Sequence, residues 1–515
     1  MATRQEHTTW LDRAIGFVSP RTGLQRTRAR VARDFLLRHY EGAAAGRRTQ
    51  GWKKPASDAN AAAAPAIASL RQVARDLVRN NAFAESALTT IVDHVVGYGV
   101  IPKADPTSLE AADIWAQWAE TTACDADGRN DFYGLQKLVM RTVVESGEVL
   151  VRRRIRRPED GFPIPMQLQV LEADYIDGAR NLQTLPNGGR IIHGIEFDAI
   201  GRRVAYWLFK EHPGSELGNA AASVSVPAES VLHVYRQDRP GQVRGVSWFA
   251  PVILAWKDFD DFDDATLMKQ KVAACLAVVI TDPDGSNVPL GTVSADQPYI
   301  DQLEPGAVIQ GPPGRSVEVV QPPSVREYAD YSRTKLRAMA TGIGVSYEDL
   351  TGDYTATNFS SARMSRLRHW ARVEDWRWRM LVPQFCTPAW RWMAEAAAIM
   401  NRGVPAGLGA KWTGSPLPMI DPANEGLAYQ RNIRSGLMSL SEALRERGYD
   451  PEAVLEEMAE DNEKLDELGL ILDSDPRKMT QAGQAQAVPG ASPVSPASPP
   501  EDMMGSPSAS PSAAE

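Results

Sequence analysis

The residues WFAPVILAWKDFDDFDDATLMKQKVAA (248–274) predict a long amphipathic helix around which the rest of the chain is arranged. Apolar side chains recur there at steps of three or four residues, which places them on one side of a helix: Val252, Ala255, Trp256, Phe259 and Phe262. With a rise of about 1.5 Å per residue, such a helix is roughly 40 Å long.

A second helix is predicted for SVREYADYSRTKLRAMATGIG (324–344), which returns along the first. Its apolar and aromatic side chains fall roughly in register: Tyr328, Tyr331, Leu336 and Met339. About fifty residues rich in Pro and Gly separate the two helices, and they include the short β-like runs AVVIT (277–281) and VEVV (317–320). Two long helices with a small module at their far end predict a stalk, which is typical of a subunit that assembles.

The length of 515 residues predicts two or three domains, because a single hydrophobic core rarely grows that large. A formal net charge of −9 argues against a protein that binds nucleic acid through a surface covered with Lys and Arg. No apolar run approaches the roughly eighteen residues of a membrane span, and the N-terminal residues lack a signal-peptide core. We therefore expect no membrane partner and a protein that is made and used without secretion.

The regions on either side of the predicted stalk indicate an α+β fold that is mainly α. Before the stalk, the sequence predicts a helix at 65–97 closed by Gly97, a helix at 131–147, and a hairpin at 190–209 with its turn near 198–201. His94 lies on the apolar side of the first of these helices, where a satisfied core histidine is the favoured interpretation over a ligand.

An arginine-rich run, EVLVRRRIRRP (148–158), allows two interpretations. It could bind nucleic acid, but it follows β-branched residues, so its side chains would alternate between the two faces of a strand. We favour a strand whose arginines are solvated or paired with acidic side chains.

The segment after the stalk predicts a loop and then a long helix. The loop is VSYEDLTGDYTATNFSSAR (345–363), and Ser360 or Ser361 can cap the helix that follows at 361–400. Pro383 and Pro388 are expected to kink or break that helix. Further on, Ser439 and Glu442 form a capping box before acidic helices, and the last residues are too rich in Pro, Ser and Ala to build a core.

The usual catalytic and cofactor motifs are absent from the sequence. There is no GxxxxGK[ST] phosphate loop, no HExxH, no GxSxG and no CxxC pair. The three cysteines, Cys124, Cys275 and Cys386, are widely separated and odd in number, so we expect buried thiols rather than disulfides or a metal cluster. By elimination we expect a protein that is not an enzyme and that holds no cofactor and no metal.

Five segments, taken in order along the chain, resemble the lambda-type family of tailed-bacteriophage portal proteins. They read ARDLVRNNAFAESALTTIVDHVVGYGV, SGEVLVRRR, HGIEFDAIGRRVAYWLF followed by HP, DRPGQVRGVSWFAPVI, and GVSYEDLTGDYTATNFSSAR. The resemblance covers roughly residues 25–470, and its strongest parts are RPGQVRG and GDYTATNFSSAR, which flank the predicted stalk.

This resemblance implies a portal fold that assembles as a ring, with a wing, a two-helix stem, a small α/β clip and a helical crown. The implied divisions are an N-terminal arm at 1–24, a wing (α+β) at 25–246, stem helix 1 at 247–276, a clip at 277–323, stem helix 2 at 324–344, a channel loop and kinked wing helix at 345–389, a crown at 390–470, and a disordered Pro/Ser/Ala-rich tail at 471–515.

The resemblance also implies a function as the head–tail connector of a bacteriophage. Portal proteins of this family form a ring, usually of twelve subunits, at one capsid vertex, and double-stranded DNA is packaged and ejected through its channel without sequence specificity. The implied partners are the terminase large subunit and later the head-completion and tail connector proteins at the clip, with the major capsid protein and scaffold at the wing. The implied location is the portal vertex of the virion, and the host cytoplasm during assembly.

The residues expected near DNA come from two places. The loop at 351–360 stands where the family has its channel loop, so the residues implied to face DNA are Thr351, Asp353, Tyr354, Thr355, Thr357 and Asn358. Charged stem residues are expected to grip DNA weakly: Lys269, Lys271, Arg333, Lys335 and Arg337.

Two other classes of function stay open at this point. The run DFDDFDD (258–264) could hold divalent ions in a metal-dependent DNA-processing enzyme, although its aspartates spread around the helix outside the apolar stripe, as a solvated face does. Another minor head or adaptor protein is the second alternative, but a shorter chain without a stalk would be expected there.

Overall fold

The computed structural model of this chain describes residues 17, 19–21, 56–104, 109–216, 222–274, 278–281, 316–319, 328–355, 357–416, 419, 421–449, 451–472 and 477. Helices and strands alternate through these residues and helices predominate, which confirms a mixed fold of both element types. None of the helices within these ranges is long and apolar enough to cross a bilayer.

The described helices are named in chain order. They are α1 (Ala59–Ala63), α2 (Ile67–Asn80), α3 (Ala82–Val96), α4 (Leu109–Ala119), α5 (Phe132–Ser146), α6 (Ile253–Ala274), α7 (Tyr328–Ile343), α8 (Tyr347–Thr351), α9 (Phe359–Trp376), α10 (Thr387–Ile399), α11 (Pro422–Arg434), α12 (Leu440–Glu446) and α13 (Pro451–Glu467). Between α9 and α10 the chain is π-helical over Arg377–Cys386.

The described strands form four antiparallel sheets. They are β1 (Ile101–Ala104), β2 (Glu148–Ile155), β3 (Met166–Glu172), β4 (Gln183–Thr184), β5 (Arg190–Ile192), β6 (Ile195–Phe197), β7 (Arg203–Leu208), β8 (Val224–Pro227), β9 (Val231–Tyr235), β10 (Val278–Thr281), β11 (Ser316–Val319) and β12 (Ala410–Thr413). The sheet orders are β1-β12, β10-β11, β3-β2-β9 and β4-β5-β6-β7-β8.

The chain divides into a small unit, residues 1–68 with 237–244, and a large unit, residues 69–236 with 245–515. In the small unit, Asn60 holds the two chain segments together. Its amide nitrogen donates to the carbonyl of Gly241 (2.9 Å), and its amide oxygen accepts from the N–H of Val243 (2.9 Å). The Asn60 side chain thus supplies hydrogen-bond partners for two backbone groups of the segment 237–244.

The core of the large unit contains an aromatic cluster between helices that are far apart in sequence. Trp115 of α4 packs edge-on against Phe132 of α5, with ring centroids 4.8 Å apart, and its ring also lies 5.0 Å from Trp390 of α10. Phe132 stacks on Phe385 at 5.1 Å. This packing joins the helices that precede the stalk to those that follow it.

Several predicted elements are confirmed with small shifts of their ends. Gly97 ends α3, and the turn between β6 and β7 lies where it was predicted, with the carboxylate of Asp198 accepting from the N–H of Arg202 (2.7 Å). Ser439 caps α12 by accepting from the N–H of Glu442. The tail predicted for 471–515 lies outside the described residues, apart from Ile471, Leu472 and Arg477.

The single helix predicted for 65–97 is wrong. The chain breaks at Asn81, whose side-chain oxygen accepts from the N–H of Ala84 (3.0 Å) and thereby starts α3 anew. Asn is a preferred N-cap because it satisfies a backbone donor that the first helical turn leaves open. The same side chain donates to Asp260 on α6 (2.8 Å), so the break also fixes α3 against the stalk.

Two arginines of the run at 148–158 contact side chains of the protein itself. Arg153 forms an ion pair with Glu395 (2.8 Å) and lies over the ring of Trp392. Arg156 donates to the side chain of Gln167 on the neighbouring strand (2.7 Å). Acid pairing, the favoured interpretation of this run, is therefore confirmed for Arg153, whereas Arg156 pairs with an amide.

Two of the three cysteines are described, and both are buried thiols as expected. Burial raises the pKa of Cys124 to about 12 and raises that of Cys386 further. Thiols with such pKa values stay protonated and unreactive. Cys275 lies outside the described residues.

The two stalk helices are present, and their facing residues are the predicted ones. Trp256 and Phe259 of α6 are buried, as are Leu336 and Met339 of α7. Further along, Phe262 packs against Tyr331 with ring centroids 4.2 Å apart, and it stacks on Tyr328. The hydroxyl of Tyr328 donates to Asp263, so a polar contact accompanies the apolar one.

The first stalk helix begins at Ile253 rather than at Trp248. Trp248 and Phe249 are buried ahead of the helix, and the N–H of Trp248 donates to the carbonyl of Val144 at the end of α5 (3.1 Å). The hydrogen bond of Trp248 and the burial of both side chains keep this segment in turns, and the helix begins only after Pro251. At the opposite end of the stalk, β10 and β11 pair as antiparallel strands, and they overlap the two predicted β-like runs.

The long helix after the loop changes its hydrogen-bonding pattern where the first proline lies. Pro383 stands inside the π-helical segment, and the N–H of Thr387 bonds to the carbonyl of Val382, five residues back. Pro388 lies in the first turn of α10, which follows the π-helical segment directly, with helical backbone angles at Cys386. The predicted break is thus a change from α- to π-helix, and the chain stays helical throughout.

Candidate nucleic-acid interface

The predicted channel loop lies between two helices whose ends are both capped. Ser346 starts α8 by accepting from the N–H of Asp349 (3.0 Å), and Gly352 ends it with a positive φ of 69°. Asn358, rather than Ser360 or Ser361, starts α9. Its side chain accepts from the N–H of Ser361 (2.9 Å), and the hydroxyl of Ser361 accepts from the N–H of Asn358 (3.1 Å).

The six loop residues predicted to face DNA differ in their exposure. Tyr354 is 56% exposed, and Thr355 and Asn358 are also exposed. Asp353 and Thr357 are half-buried. Thr351 is the last residue of α8, half-buried, and its hydroxyl donates to the carbonyl of Tyr347 (2.8 Å). The geometry therefore gives Tyr354, Thr355 and Asn358 the most accessible side chains of the set.

Asp353 carries a fixed negative charge within this loop. Its carboxylate accepts from the N–H of Thr355 (3.1 Å), from the hydroxyl of Thr355 and from the hydroxyl of Tyr347 (3.0 Å). The bonds from Thr355, followed by that from Tyr347, lower the pKa of Asp353. A carboxylate held ionised in this way repels the phosphates of nucleic acid.

The five predicted stem charges lie on both stalk helices. Lys269 and Lys271 are exposed on α6. On α7, Lys335 lies over the ring of Tyr331 (5.5 Å), and Arg337 lies over the ring of Tyr347 (5.2 Å), which connects α7 to the base of the loop. Arg333 stands 3.8 Å from Asp330 on its own helix, so its charge is partly offset.

The base of the loop is attached to α3 by hydrogen bonds from hydroxyl side chains. Ser86 donates to the carbonyl of Leu350 (2.9 Å), and Thr90 lies 3.5 Å from the carbonyl of Asp349. These carbonyls belong to the short helix α8 and have few helical partners of their own. The loop thus starts from a helix that is held on the surface of α3.

Two histidines meet beneath this loop, and one of them was not identified from the sequence. His94 Nδ1 lies 2.8 Å from His369 Nε2, and His369 Nδ1 lies 3.1 Å from the carbonyl of Gly344. Burial, above all other causes, lowers the pKa of both imidazoles. His94 is half-buried, and its ring has a hydrogen-bond partner. Its partner is 275 residues away in sequence, so spacing offers no signal for the pair.

A buried carboxylate joins the strands to the segment that leads into the stalk. Glu148 is fully buried, and its oxygens contact Arg71 (2.8 Å), His233 (2.9 Å) and the N–H of Gly245 (2.8 Å). Sequence reasoning did not identify this cluster. The only available signal was that Glu148 and Gly245 both lie in segments that carry the family resemblance.

The acidic run at 258–264 does not gather into a metal site. Asp258, Asp261 and Asp264 are exposed, and Asp261 pairs with Lys257 on the same helix (2.8 Å). Two groups of described residues could hold a metal ion, and neither contains an aspartate of this run. They are His94 with Asp349 and His369, and Glu172 with Asp174 and His212.

Comparison with known proteins gives a consistent result across most of the chain. A family model described as "Phage portal protein, lambda family" matches residues 45–377. The "Probable portal protein" of Halomonas phage phiHAP-1 is similar to this chain, with 25% identity over 433 residues that cover 78% of this chain and 81% of that protein. The portal protein of Escherichia phage N15 is 24% identical over 85% of this chain and 92% of its own length.

A third relative and a solved structure are also similar to this chain. Portal protein B of Escherichia phage lambda is 23% identical over 81% of this chain and 88% of its own length. Among solved structures, a chain described as "Neck of native GTA particle computed with C12 symmetry" is 14% identical, with a TM-score of 0.43, and the match covers 78% of this chain and 98% of that chain.

Proposed function

Because this chain belongs to the lambda family of phage portal proteins, we propose that twelve copies form the ring at one capsid vertex through which double-stranded DNA is packaged and ejected. The observation that carries the proposal is the pair of antiparallel helices α6 and α7 with the paired strands β10 and β11 at their far end, within the span of the family match. In a ring of such subunits, each stalk can place its pair of helices around the central axis of the ring.

The stalk offers a surface for a neighbouring subunit. Leu254 and Met268 of α6 are 78% and 60% exposed, and they lie on the side of the helix opposite to the buried Trp256. Exposed apolar side chains along one element are typical of an interface. A ring needs a head-to-tail contact of this kind, in which the two sides of one subunit are complementary and the rotation closes.

The channel loop and the net negative charge of the chain suit a channel through which DNA slides. A basic lining would bind phosphates through counterion release and hold the duplex in place. A net charge of −9 and the fixed carboxylate of Asp353 oppose such binding. In the proposed ring the loop residues Thr351, Asp353, Tyr354, Thr355, Thr357 and Asn358 face the DNA.

The proposed partners follow from the proposed position of each segment in the virion. The clip, 277–323, receives the terminase large subunit, which hydrolyses ATP, and afterwards the head-completion and tail connector proteins. The wing contacts the major capsid protein and, during assembly in the host cytoplasm, the scaffold. In this proposal the chain has a structural role and no enzymatic one.

The mass of the native particle tests the proposal. A ring of twelve chains of 56.4 kDa has a mass of about 677 kDa. We expect native mass spectrometry of the purified protein to give a species of this size, and electron microscopy of the same fraction to show a central hole. Rings of eleven or thirteen also support a portal. A folded 56.4 kDa monomer that stays monomeric when scaffold and capsid protein are added would contradict it.

Reversal of single stem charges tests whether the stalk grips DNA. We expect at least one of Lys269→Glu, Lys271→Glu, Arg333→Glu, Lys335→Glu and Arg337→Glu to release packaged DNA several-fold faster, because each removes a cation and adds an anion in every subunit. The measurement is the DNA that filled heads retain after a salt challenge. Lys210→Glu, an exposed residue between β7 and β8, is the matched control. Retention equal to that of the unaltered protein in all five variants would exclude such a grip.

A further inference from the structure

The residues beneath the channel loop combine two imidazoles and a carboxylate from three separate elements. His94 comes from α3, Asp349 from α8 and His369 from α9, and one ligand atom of each lies within 4.8 Å of the other two. His369 is 3% exposed, whereas His94 and Asp349 are half-buried. The group is therefore partly enclosed but can be reached from solvent.

The hydrogen bonds around His369 fix which of its nitrogens is available. Its Nδ1 donates to the carbonyl of Gly344, so its Nε2 carries the lone pair that points toward His94. An imidazole that ligates a metal usually donates its other N–H to a carbonyl or carboxylate in the same way. Asp349 is oriented as well, because the hydroxyl of Ser346 donates to its carboxylate (2.8 Å).

We propose that His94, Asp349 and His369 form a binding site for a divalent transition cation, with Zn²⁺ as the best match. Neutral imidazole nitrogens and a carboxylate oxygen are common zinc ligands, and three protein ligands leave the fourth tetrahedral position for water. The two ring nitrogens are 2.8 Å apart and share a proton. Zinc at about 2.0–2.1 Å from each needs them roughly 3.3 Å apart, a small opening, and His94 must keep its proton on Nε2 instead.

The surrounding charges are mixed and do not prevent binding. Asp349 and Asp93 favour a cation near the two histidines, whereas Arg366 and Arg372 oppose it. Of these four charged side chains, Asp349 lies closest to the proposed ion, because its carboxylate is itself a ligand. Binding is therefore expected at free Zn²⁺ concentrations well below those that cause non-specific binding to surface carboxylates.

A bound ion would clamp the base of the channel loop. Asp349 precedes the end of α8, and its carboxylate also raises the pKa of Tyr354, after burial, which places that exposed loop tyrosine near the site. Through one ion, α3 and α9 would hold α8 and hence both ends of the loop. The site thus couples divalent cation binding to the order of the segment proposed to face DNA.

Metal analysis of the full-length protein, prepared without an oligohistidine tag, tests the site. The protein is stripped with a chelator, dialysed against micromolar Zn²⁺ and assayed for metal per subunit, which requires no particular ring size. We expect about one Zn²⁺ per subunit, and at least tenfold weaker binding in His94→Gln and His369→Gln, in which glutamine can still form a hydrogen bond. His212→Gln, which alters the other candidate group, is the matched control and should bind as the unaltered protein does.

Spectroscopy with Co²⁺ keeps the test decisive if a variant fails to fold. Co²⁺ added to the unaltered protein should give the intense visible absorption of a tetrahedral site, and Asp349→Asn should weaken that absorption. Absence of Zn²⁺ above background, a weak octahedral Co²⁺ spectrum, or equal binding in His94→Gln and His369→Gln would each overturn the proposal. Loss of binding in His212→Gln alone would assign the ion to the other group and would overturn it too.

Discussion

Replacement of Glu148 by alanine is expected to lower the free energy of unfolding by about 3–5 kcal/mol. The carboxylate is fully buried and contacts Arg71, His233 and the N–H of Gly245. Its removal leaves a buried guanidinium without its closest anion and a backbone donor without its acceptor. Arg71 keeps a second anion, Asp174 (3.2 Å), so the lower half of this range is the more relevant one.

The measurement is the shift of the urea midpoint, followed by tryptophan fluorescence at one fixed protein concentration, because assembly adds to apparent stability. Glu229→Ala is the matched control, since Glu229 is exposed. Its effect should stay within about 0.5 kcal/mol. An effect equally small for Glu148→Ala would show that the buried contacts contribute little to stability.

Replacement of Gly147 by alanine is expected to destabilise the protein by about 2–6 kcal/mol, through two separate causes. Gly147 has a φ of +91°, which an L-residue adopts only with strain. In addition, an added Cβ would lie 2.3 Å from the carbonyl carbon of Val246. Backbone atoms cannot avoid the added Cβ by a change of rotamer, so the backbone at Val246 and Ser247, which leads into the stalk, would have to move.

A second glycine separates the two causes. Gly128 has a similar φ of +68°, but nothing lies within 4 Å of the position its Cβ would occupy. Gly128→Ala should therefore cost only the strain of the backbone dihedral angles, about 1–2 kcal/mol. Thermal unfolding of both variants gives the difference, and equal losses of stability would contradict the role assigned to the close approach at Val246.

The stalk could be predicted from sequence because its signal is local. The spacing of Trp256 and Phe259 specifies one side of a helix, and the structure buries both residues. The break at Asn81 was missed for an equally physical reason: the side chain forms a cap, and a cap inside a periodic apolar pattern does not disturb the period. Likewise, the buried position of Trp248 delays the start of α6, and only tertiary packing determines that position.

The loop could be located from sequence, whereas the groups beneath it could not. A run of Gly, Thr and Asn residues between two helical patterns indicates a loop by composition alone. His94, Asp349 and His369, in contrast, are brought together by the packing of α3, α8 and α9. The Glu148 cluster depends in the same way on contacts between α2, β2 and β9. Contacts between residues so far apart in sequence leave no periodic pattern that a single sequence could reveal.

The π-helical segment at Arg377–Cys386 has a consequence for how the two ends of one long helix are used. A turn that closes five residues back is wider than an α-helical turn, so it changes the rotational phase between α9 and α10. On one side of it, His369 points toward the loop base; on the other, Trp390 points into the aromatic core. The segment therefore sets the angle about the helix axis between the side chains that face the loop base and those that face the aromatic core.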